Sequence, residues 1–260
     1  MVNYLGVALN TDFVPVIAHL AGTVEDAPIP ANWHADMAEW GAALRAVELA
    51  RNTFTMAELG CGWGCWMNIT GAVARRLGHT THLIGIEGDE GHLAFARQAF
   101  STNDIPPDCY TLIRGIAAAQ PGVALFPRQD ASGASWGLEP IFNATEEQRA
   151  EAVATGAADE LPMIPLSEVV GERPRLDLLH IDIQGGEADL VRDCLPLLCE
   201  KVAYIVIGTH SREIEGRLLS DLLAAGWCLE IERPAILAIH EGHPLVTVDG
   251  VQGWRNPRLT

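Results

Sequence analysis

The chain alternates between short apolar segments of strand length and longer segments with helical periodicity, and this alternation constrains its fold more than any other feature. A strand that is apolar along most of its length is typical of a parallel sheet covered on both faces. Strands that alternate with helices predict a doubly wound α/β domain. Strands are predicted at residues 54–59, 82–86, 110–113, 176–183 and 202–207, and helices at 67–77, 89–100, 187–198 and 214–225.

The C-terminal part of the chain predicts a different finish to the sheet. Gly226 follows the last of these helices, and glycine commonly ends helices. Three more segments of strand length follow at 228–232, 235–239 and 245–248, and turn residues at 241–244 join the last two. The predicted fold class is therefore a doubly wound α/β fold, a mostly parallel sheet that closes with antiparallel C-terminal strands.

The length of 260 residues fits one α/β domain, with two segments added to it. Residues 1–53 are predicted as an N-terminal helical extension, because apolar residues recur at helical spacing between 32 and 51. Residues 120–165 are predicted as a largely irregular insertion that acts as a substrate lid. Within it, Thr145 and Gln148 match a capping box and predict a helix over 145–155.

Composition and charge exclude several classes of partner. The chain has 34 acidic and 17 basic residues, a net charge of −17, which repels nucleic acid and anionic membranes. No apolar run reaches the length of a bilayer span, and no basic cluster precedes an apolar N-terminal stretch, so we expect neither membrane insertion nor a secretory signal. The six scattered cysteines form no CxxC pair, which favours a reducing cytoplasm and argues against a thiolate zinc site.

The motif with the most chemical content is Glu58-Leu59-Gly60-Cys61-Gly62-Trp63-Gly64, directly after the first predicted strand. A glycine-rich turn at this edge of the sheet lets a ligand approach the backbone closely. A dinucleotide site needs GxGxxG, whereas the spacing here is GxGxG and an acid precedes it. Glu58 would repel a diphosphate, but it suits a ligand with a cationic amino group, such as the amino-acid end of S-adenosylmethionine.

A second acid, Glu87, ends the segment Leu83-Ile84-Gly85-Ile86-Glu87 at the tip of the second predicted strand. An acid in this position can accept hydrogen bonds from both hydroxyls of a ribose. Together with the glycine turn, Glu87 predicts a nucleoside site.

These motifs resemble those of known proteins. Residues 58–64 look like the first motif of the Rossmann-like class I methyltransferases, and Glu87 resembles their ribose-binding acid. Residues 178–187, LLHIDIQGGE, and residues 207–217, which begin IGTHS, resemble signatures of the FkbM-type methyltransferases. The resemblance covers roughly residues 54–233. It implies an enzyme that uses S-adenosylmethionine to methylate a hydroxyl oxygen of a sugar, glycolipid or secondary metabolite.

The resemblance also assigns residues to the donor and to catalysis. We expect Gly88, Ile116 and Asp182, with the residues of the glycine turn and Glu87, to bind the donor. Asp182 follows the fourth strand of the domain and His210 the fifth, so we expect both at the crevice beside the donor. Either one is a candidate for the base that takes the proton of the hydroxyl group, and His210 titrates nearer to neutral pH.

A divalent metal is less favoured. Some class I O-methyltransferases bind magnesium with acids at the ends of the fourth and fifth strands. Here the second position is Thr209-His210, and magnesium prefers oxygen ligands. We therefore predict no metal.

The segments outside the motifs are expected to bind the methyl acceptor, a small molecule. Trp33, His34, Trp136 and Glu139 are candidates to line its pocket, whereas His180 lies within a strand and is interpreted as buried structure. Two other functions stay open: a nicotinamide-dependent oxidoreductase, and a protein that binds S-adenosylmethionine without turnover. The sequence does not decide the oligomeric state.

Overall fold

The computed structural model describes the backbone of residues 1–260 and all side chains except that of residue 153. Twelve strands alternate with helices along the chain. They are β1 (Thr53–Leu59), β2 (Thr80–Glu87), β3 (Tyr110–Arg114), β4 (Ile116–Ala118), β5 (Gly122–Pro127), β6 (Ala158–Pro165), β7 (Leu178–Ile181), β8 (Tyr204–Thr209), β9 (Cys228–Arg233), β10 (Ile236–His240), β11 (His243–Val248) and β12 (Gly250–Arg255).

The helices begin where short polar side chains can satisfy their first backbone amides. Asp36, Asp89 and Ser211 each accept a hydrogen bond from an amide of the first helical turn that follows them. The predicted capping box is confirmed, since Thr145 and Gln148 exchange hydrogen bonds. The helices are α1 (Met37–Glu48), α2 (Cys65–Arg76), α3 (Glu90–Thr102), α4 (Glu146–Thr155), α5 (Leu166–Val170), α6 (Glu187–Lys201) and α7 (Arg212–Ala224).

Seven strands form the central sheet, in the order β3-β2-β1-β7-β8-β12-β9. The first five are parallel to one another, and β12 is antiparallel to both of its neighbours. Buried apolar side chains cover both faces of the sheet and form two large clusters. The predicted fold class, a doubly wound and mostly parallel sheet with an antiparallel finish, is confirmed. Because the order reverses between β1 and β7, a crevice opens at the carboxyl ends of these strands.

The prediction for the antiparallel finish was wrong in detail. Segments 235–239 and 245–248 form a separate two-stranded hairpin, β10–β11, and the strand that enters the sheet is β12. The sequence GVQGWR looked unlike a buried strand because it holds two glycines and a glutamine. Gly253 is needed there, since a Cβ would lie 2.9 Å from that of Ala42, and Gln252 is buried and accepts a hydrogen bond from Trp254.

The prediction of an irregular insertion at residues 120–165 was also wrong in part. Strands β5 and β6 pair in antiparallel fashion, and β6 pairs with β4 to form a small three-stranded sheet. The segments 128–144 between them are irregular, as expected. The segment that forms β6, Ala158–Pro165, holds two prolines and two acids, so its composition did not indicate a strand.

The N-terminal segment is integrated into the domain. Only Met37–Glu48 is α-helical, and two short 3-10 turns, Thr11–Phe13 and Pro15–Leu20, precede it. Helix α1 packs beside the sheet and buries the side chains of Trp40, Ala43 and Val47 in the core. Among the described residues, no helix combines the length and the apolar character needed to cross a membrane.

Candidate functional site

The carboxyl ends of β1, β2, β7 and β8 surround one cavity of about 920 Å³. This volume lies at the upper end of the range for small-molecule sites. Most residues that the sequence singled out lie in its wall. They are Trp33, His34, Glu58, Gly60, Gly62, Glu87, Gly88, Ile116, Trp136, Asp182 and His210. Gly64 and Glu139 do not line the cavity.

The glycine turn is built for close backbone approach. Gly60 and Gly62 have positive φ angles of 74° and 51°, which favour glycine. A Cβ on Gly60 would lie 1.9 Å from the carbonyl oxygen of Asp182, so no side chain fits where the turn meets the end of β7. Gly64 also has a positive φ, but a Cβ there would meet the ring of Phe100 at 3.1 Å. Gly64 therefore allows the close packing of α2 on α3, and its expected place at the donor stays a prediction.

Glu58 lies in the cavity wall, and its carboxylate accepts hydrogen bonds from the first backbone amides of α2. Its oxygens accept hydrogen bonds from the amides of Trp66, at 3.2 Å, and Met67, at 3.0 Å. Burial raises the pKa of Glu58 to about 7, and these amides and His180 oppose the rise. The assignment of Glu58 to a cationic amino group of the donor stays a prediction, because the helix amides share its oxygens.

Glu87 connects the end of β2 to the glycine turn. One of its oxygens accepts a hydrogen bond from the amide of Gly62, at 2.9 Å, and the other from the amide of Asp89, at 2.8 Å. The ring of His92 lies 3.8 Å from the second oxygen. The carboxylate is thereby fixed at the floor of the cavity, where it can still accept further hydrogen bonds from a ligand hydroxyl.

Asp182 and His210 meet as the sequence predicted, and a third residue joins them. His210 Nε2 lies 3.3 Å from Asp182 Oδ1, and its Nδ1 lies 3.0 Å from Glu187 Oε1. Glu187 is fully buried, and the same oxygen accepts hydrogen bonds from the amides of Ile183 and Gly185. Sequence reasoning missed Glu187, whose place in the first turn of α6 is ordinary for an acid; the signature LLHIDIQGGE contained it.

The two carboxylates keep the imidazole ring charged. Burial lowers the pKa of His210, but Asp182 and Glu187 outweigh it and raise the pKa to about 10. In turn, desolvation raises the pKa of Asp182, and the hydrogen bond from His210 outweighs it, so the pKa is lowered. A protonated ring cannot accept a proton, so Asp182 is the group of this pair that can act as the base near neutral pH.

The same three residues are also the one group among the described residues that could hold a metal ion, with a ligand atom of each within 4.8 Å of the others. Two carboxylates and an imidazole suit a transition metal better than magnesium. The protonated ring of His210, which contacts both carboxylates, already balances the charge of one of them without a metal. The prediction of no metal stays a prediction.

The ion pairs of His210 should make part of the folding stability depend on pH. The pKa of this group is raised from 6.5 to about 10 in the folded protein, so its contribution is complete below about pH 6.5 and is lost as the pH rises through about 10. The difference in unfolding free energy between the wild type and a His210→Gln variant should shrink over this interval. Urea titrations at a series of pH values measure it, and a difference that is constant with pH would contradict the assignment.

The four candidate acceptor residues separate into three places. Trp33 and His34 line the cavity from the N-terminal segment, where His34 stacks on Trp40 with ring centroids 5.3 Å apart. Burial lowers the pKa of His34 to about 4, so the ring is neutral. Trp136 lies against the glycine turn. Glu139 is exposed and outside the cavity, which corrects its expected place.

Trp136 belongs to an irregular segment, residues 129–137, that packs on the start of α3. Its ring stacks on His92 with centroids 4.1 Å apart and an interplanar angle of 3°. A Cβ on Gly62 would lie 3.2 Å from this ring. Gln129 donates a hydrogen bond to Asp89 and accepts one from the amide of Ser135. The segment therefore covers the glycine turn.

Helix α1 supplies a further cavity residue that sequence reasoning missed. Glu39 Oε1 lies 3.0 Å from His180 Nε2 and accepts a hydrogen bond from Trp66 Nε1 at 2.9 Å. His180 is buried, as the sequence interpretation held. Burial lowers the pKa of His180, but Glu39 outweighs it and the pKa is raised. No sequence signal separated Glu39 from a solvated acid in a first helical turn.

The charges of the wall favour one class of cofactor over another. Among the described residues, Arg233 is the one lysine or arginine that lines the cavity, and it forms an ion pair with Asp36. A pyrophosphate site calls for cationic groups or a helix N-terminus without an acid. Here the N-terminus of α2 is capped by Glu58. The glycine cradle and the acids fit a cationic nucleoside such as S-adenosylmethionine, and they do not fit a dinucleotide.

Comparison with known proteins gives one extensive match. A protein from Jannaschia sp. (strain CCS1), whose name is that of a methyltransferase, is 43% identical over 258 residues, which cover 99% of this chain and 92% of that protein. The search against protein-family models found no match.

Solved structures show weaker likenesses. The precorrin-6y C5,15-methyltransferase of Geobacter metallireducens GS-15 aligns over 82% of this chain and 86% of its own, with 10% identity and a TM-score of 0.43. The methyltransferase FkbM of Methylobacillus flagellatus KT aligns over 80% of this chain and 45% of its own, with 12% identity and a TM-score of 0.49.

Proposed function

Because the chain belongs to the methyltransferases, we propose that it transfers the methyl group of S-adenosylmethionine to a hydroxyl oxygen of a small molecule. The FkbM-type signatures at residues 178–187 and 207–217 support this more specific proposal, because they lie at the two strand ends that carry Asp182 and His210. The acidic wall disfavours the oxidoreductase alternative, which needs to hold a diphosphate.

One observation carries the proposal. A single cavity brings the glycine turn and Glu87, which fit a cationic nucleoside, together with Asp182 and His210, and the buried Glu187 completes their triad from behind. A protein that only binds the nucleoside needs the first group and not the second. A group that removes a proton beside an activated methyl carbon is what O-methylation requires, because a neutral hydroxyl is a weak nucleophile.

Bound S-adenosylmethionine supplies a methyl group that the sulfonium already activates. The chain has to hold the hydroxyl in line with that carbon and to receive its proton, and positioning of this kind lowers barriers strongly. Asp182 Oδ1 is held by His210 and by Gln184 Nε2, at 3.0 Å, which leaves Oδ2 to accept the proton. Glu187 positions His210 through Nδ1.

We extend the proposal to the insertion. The segment 129–137 is a lid that covers the donor, and Trp136 is its inward-facing residue. The hydrogen bond from Gln129 to Asp89 supports a role for this segment in covering the donor. The stacking of Trp136 on His92 supports the same role, and not a role in binding the methyl acceptor. Closure over the site would exclude water from the reacting groups.

A methyl-transfer assay tests the proposed function. The protein, incubated with S-adenosylmethionine that carries a ¹³C-labelled methyl group and a panel of hydroxylated small molecules, should give a product whose labelled carbon has the chemical shift of a methoxy group. Label on carbon or nitrogen would overturn O-methylation and keep methyl transfer. Tryptophan quenching by S-adenosylhomocysteine without any methylated product would favour the non-catalytic alternative.

A further inference from the structure

We propose that the methyl acceptor carries a protonated amine close to the hydroxyl group that is methylated, which places it among amino alcohols and amino sugars. The inference rests on the proposed function and deepens it by naming the charge of the substrate. It follows from the charges of the cavity wall, from which of them already have partners, and from the aromatic surface beside them.

Carboxyl groups dominate the wall of the cavity. Eight acidic residues line it, against Arg233 as the one lysine or arginine among the described residues. A cleft lined by one sign of charge concentrates ligands of the opposite sign and repels those of the same sign. Phosphorylated or carboxylated acceptors would be disfavoured in it. The eight are Asp36, Glu39, Glu58, Glu87, Asp182, Asp189, Asp193 and Asp249.

Four of the eight acids already have partners. Glu58 and Glu87 accept hydrogen bonds from backbone amides. Glu39 contacts His180 and Trp66, and Asp36 forms an ion pair with Arg233. These groups stabilise the fold and leave little charge for a second ligand.

Of the remaining four acids, Asp189 forms an ion pair with Arg217, and the other three have free oxygens. Asp193 and Asp249 are exposed at the rim of the cavity and form no hydrogen bond or ion pair with the described residues through their side chains. The side chain of Asp182 is 41% exposed, and its described hydrogen bonds all involve Oδ1. The free carboxylates thus lie where a methyl acceptor has to enter and bind.

Aromatic rings complete a surface for a cation. Trp33 and Phe142 line the same cavity as the free carboxylates. The face of an aromatic ring attracts an ammonium group, most strongly where water is excluded. Carboxylates together with aromatic faces recognise an amine, whereas they offer nothing to a phosphate.

The test compares three probes that share a ring and differ in charge: benzylamine, benzyl alcohol and benzoate. They are titrated by ligand-detected NMR into protein saturated with S-adenosylhomocysteine, so that the donor site is closed to them. We expect benzylamine to bind at least about tenfold more tightly than benzoate, a difference of about 1.4 kcal/mol. The preference should weaken as sodium chloride is added, because salt screens exposed charges.

Variants locate the effect. The single variants Asp193→Asn and Asp249→Asn should each reduce the preference for benzylamine, while Asp108→Asn, at an exposed acid away from the cavity, makes the same change of charge without effect. Equal or tighter binding of benzoate, or no binding of benzylamine, would overturn the inference. Neither outcome bears on methyl transfer, since the titration involves no turnover; conversely, failure of the methyl-transfer assay would leave the preference measurable.

Discussion

Replacing Gly60 by alanine is expected to reduce the affinity for S-adenosylhomocysteine by at least about 100-fold, or about 2.8 kcal/mol, because the glycine turn has to move. The added Cβ would lie 1.9 Å from the carbonyl oxygen of Asp182, so the glycine turn and the end of β7 have to separate. The glycine turn, where we propose that the donor binds, meets the end of the strand that carries Asp182 at this contact. Isothermal titration calorimetry measures the affinity, and circular dichroism checks that the variant is folded.

Gly78 provides the matched control. It also has a positive φ, of 87°, and a Cβ there would meet nothing within 4 Å. A Gly78→Ala variant carries the same backbone strain, which costs about 1–2 kcal/mol, without disturbing the cavity. It should bind the nucleoside as the wild type does. Equal affinity in Gly60→Ala and Gly78→Ala would show that the turn does not hold the donor.

Replacing Asp182 by asparagine is expected to lower kcat by about 1,000-fold, within the range for loss of a general base. Asparagine keeps the size of the side chain and removes its capacity to take a proton. Because His210 holds the pKa of Asp182 below its ordinary value, the wild-type base stays ionised across neutral pH. Its rate should rise as His210 loses its proton near pH 10, because the neutral ring can itself accept a proton and no longer lowers the pKa of Asp182. Steady-state rates of wild type and variant as a function of pH measure both effects.

The comparison that isolates the base is again Asp108→Asn, which should retain the wild-type rate. A His210→Gln variant should be slower than the wild type and should lose the alkaline rise, because the group that titrates is gone. If Asp182→Asn kept the wild-type kcat, the proton would leave by another route, and the triad would be structural.

The parts of the site that could be predicted from the sequence each belong to a short local pattern. Glu58 and Gly60 share one turn, and the end of a buried strand fixes where Glu87, Asp182 and His210 point. The order of strands in a doubly wound sheet brings these ends to one edge, so a local pattern was enough to place them.

The parts that could not be predicted depend on contacts between distant segments. Glu39 reaches His180 from a helix that lies 141 residues earlier in the chain. Glu187 reads as an ordinary acid of a first helical turn until the turn after β7 brings it to His210. Gly64 matches the spacing of the glycine motif, which predicts that it binds the donor. Its contact with Phe100, a residue of another helix, could not be predicted from that spacing.

The central claim is that the cavity between the glycine turn and the triad holds a sulfonium nucleoside, and calorimetric titration of the folded wild-type protein with S-adenosylhomocysteine tests it most directly. We expect saturable heat with one nucleoside per chain, and a much weaker response from a Glu87→Gln variant. A folded wild-type protein that gives no heat of binding would contradict the account.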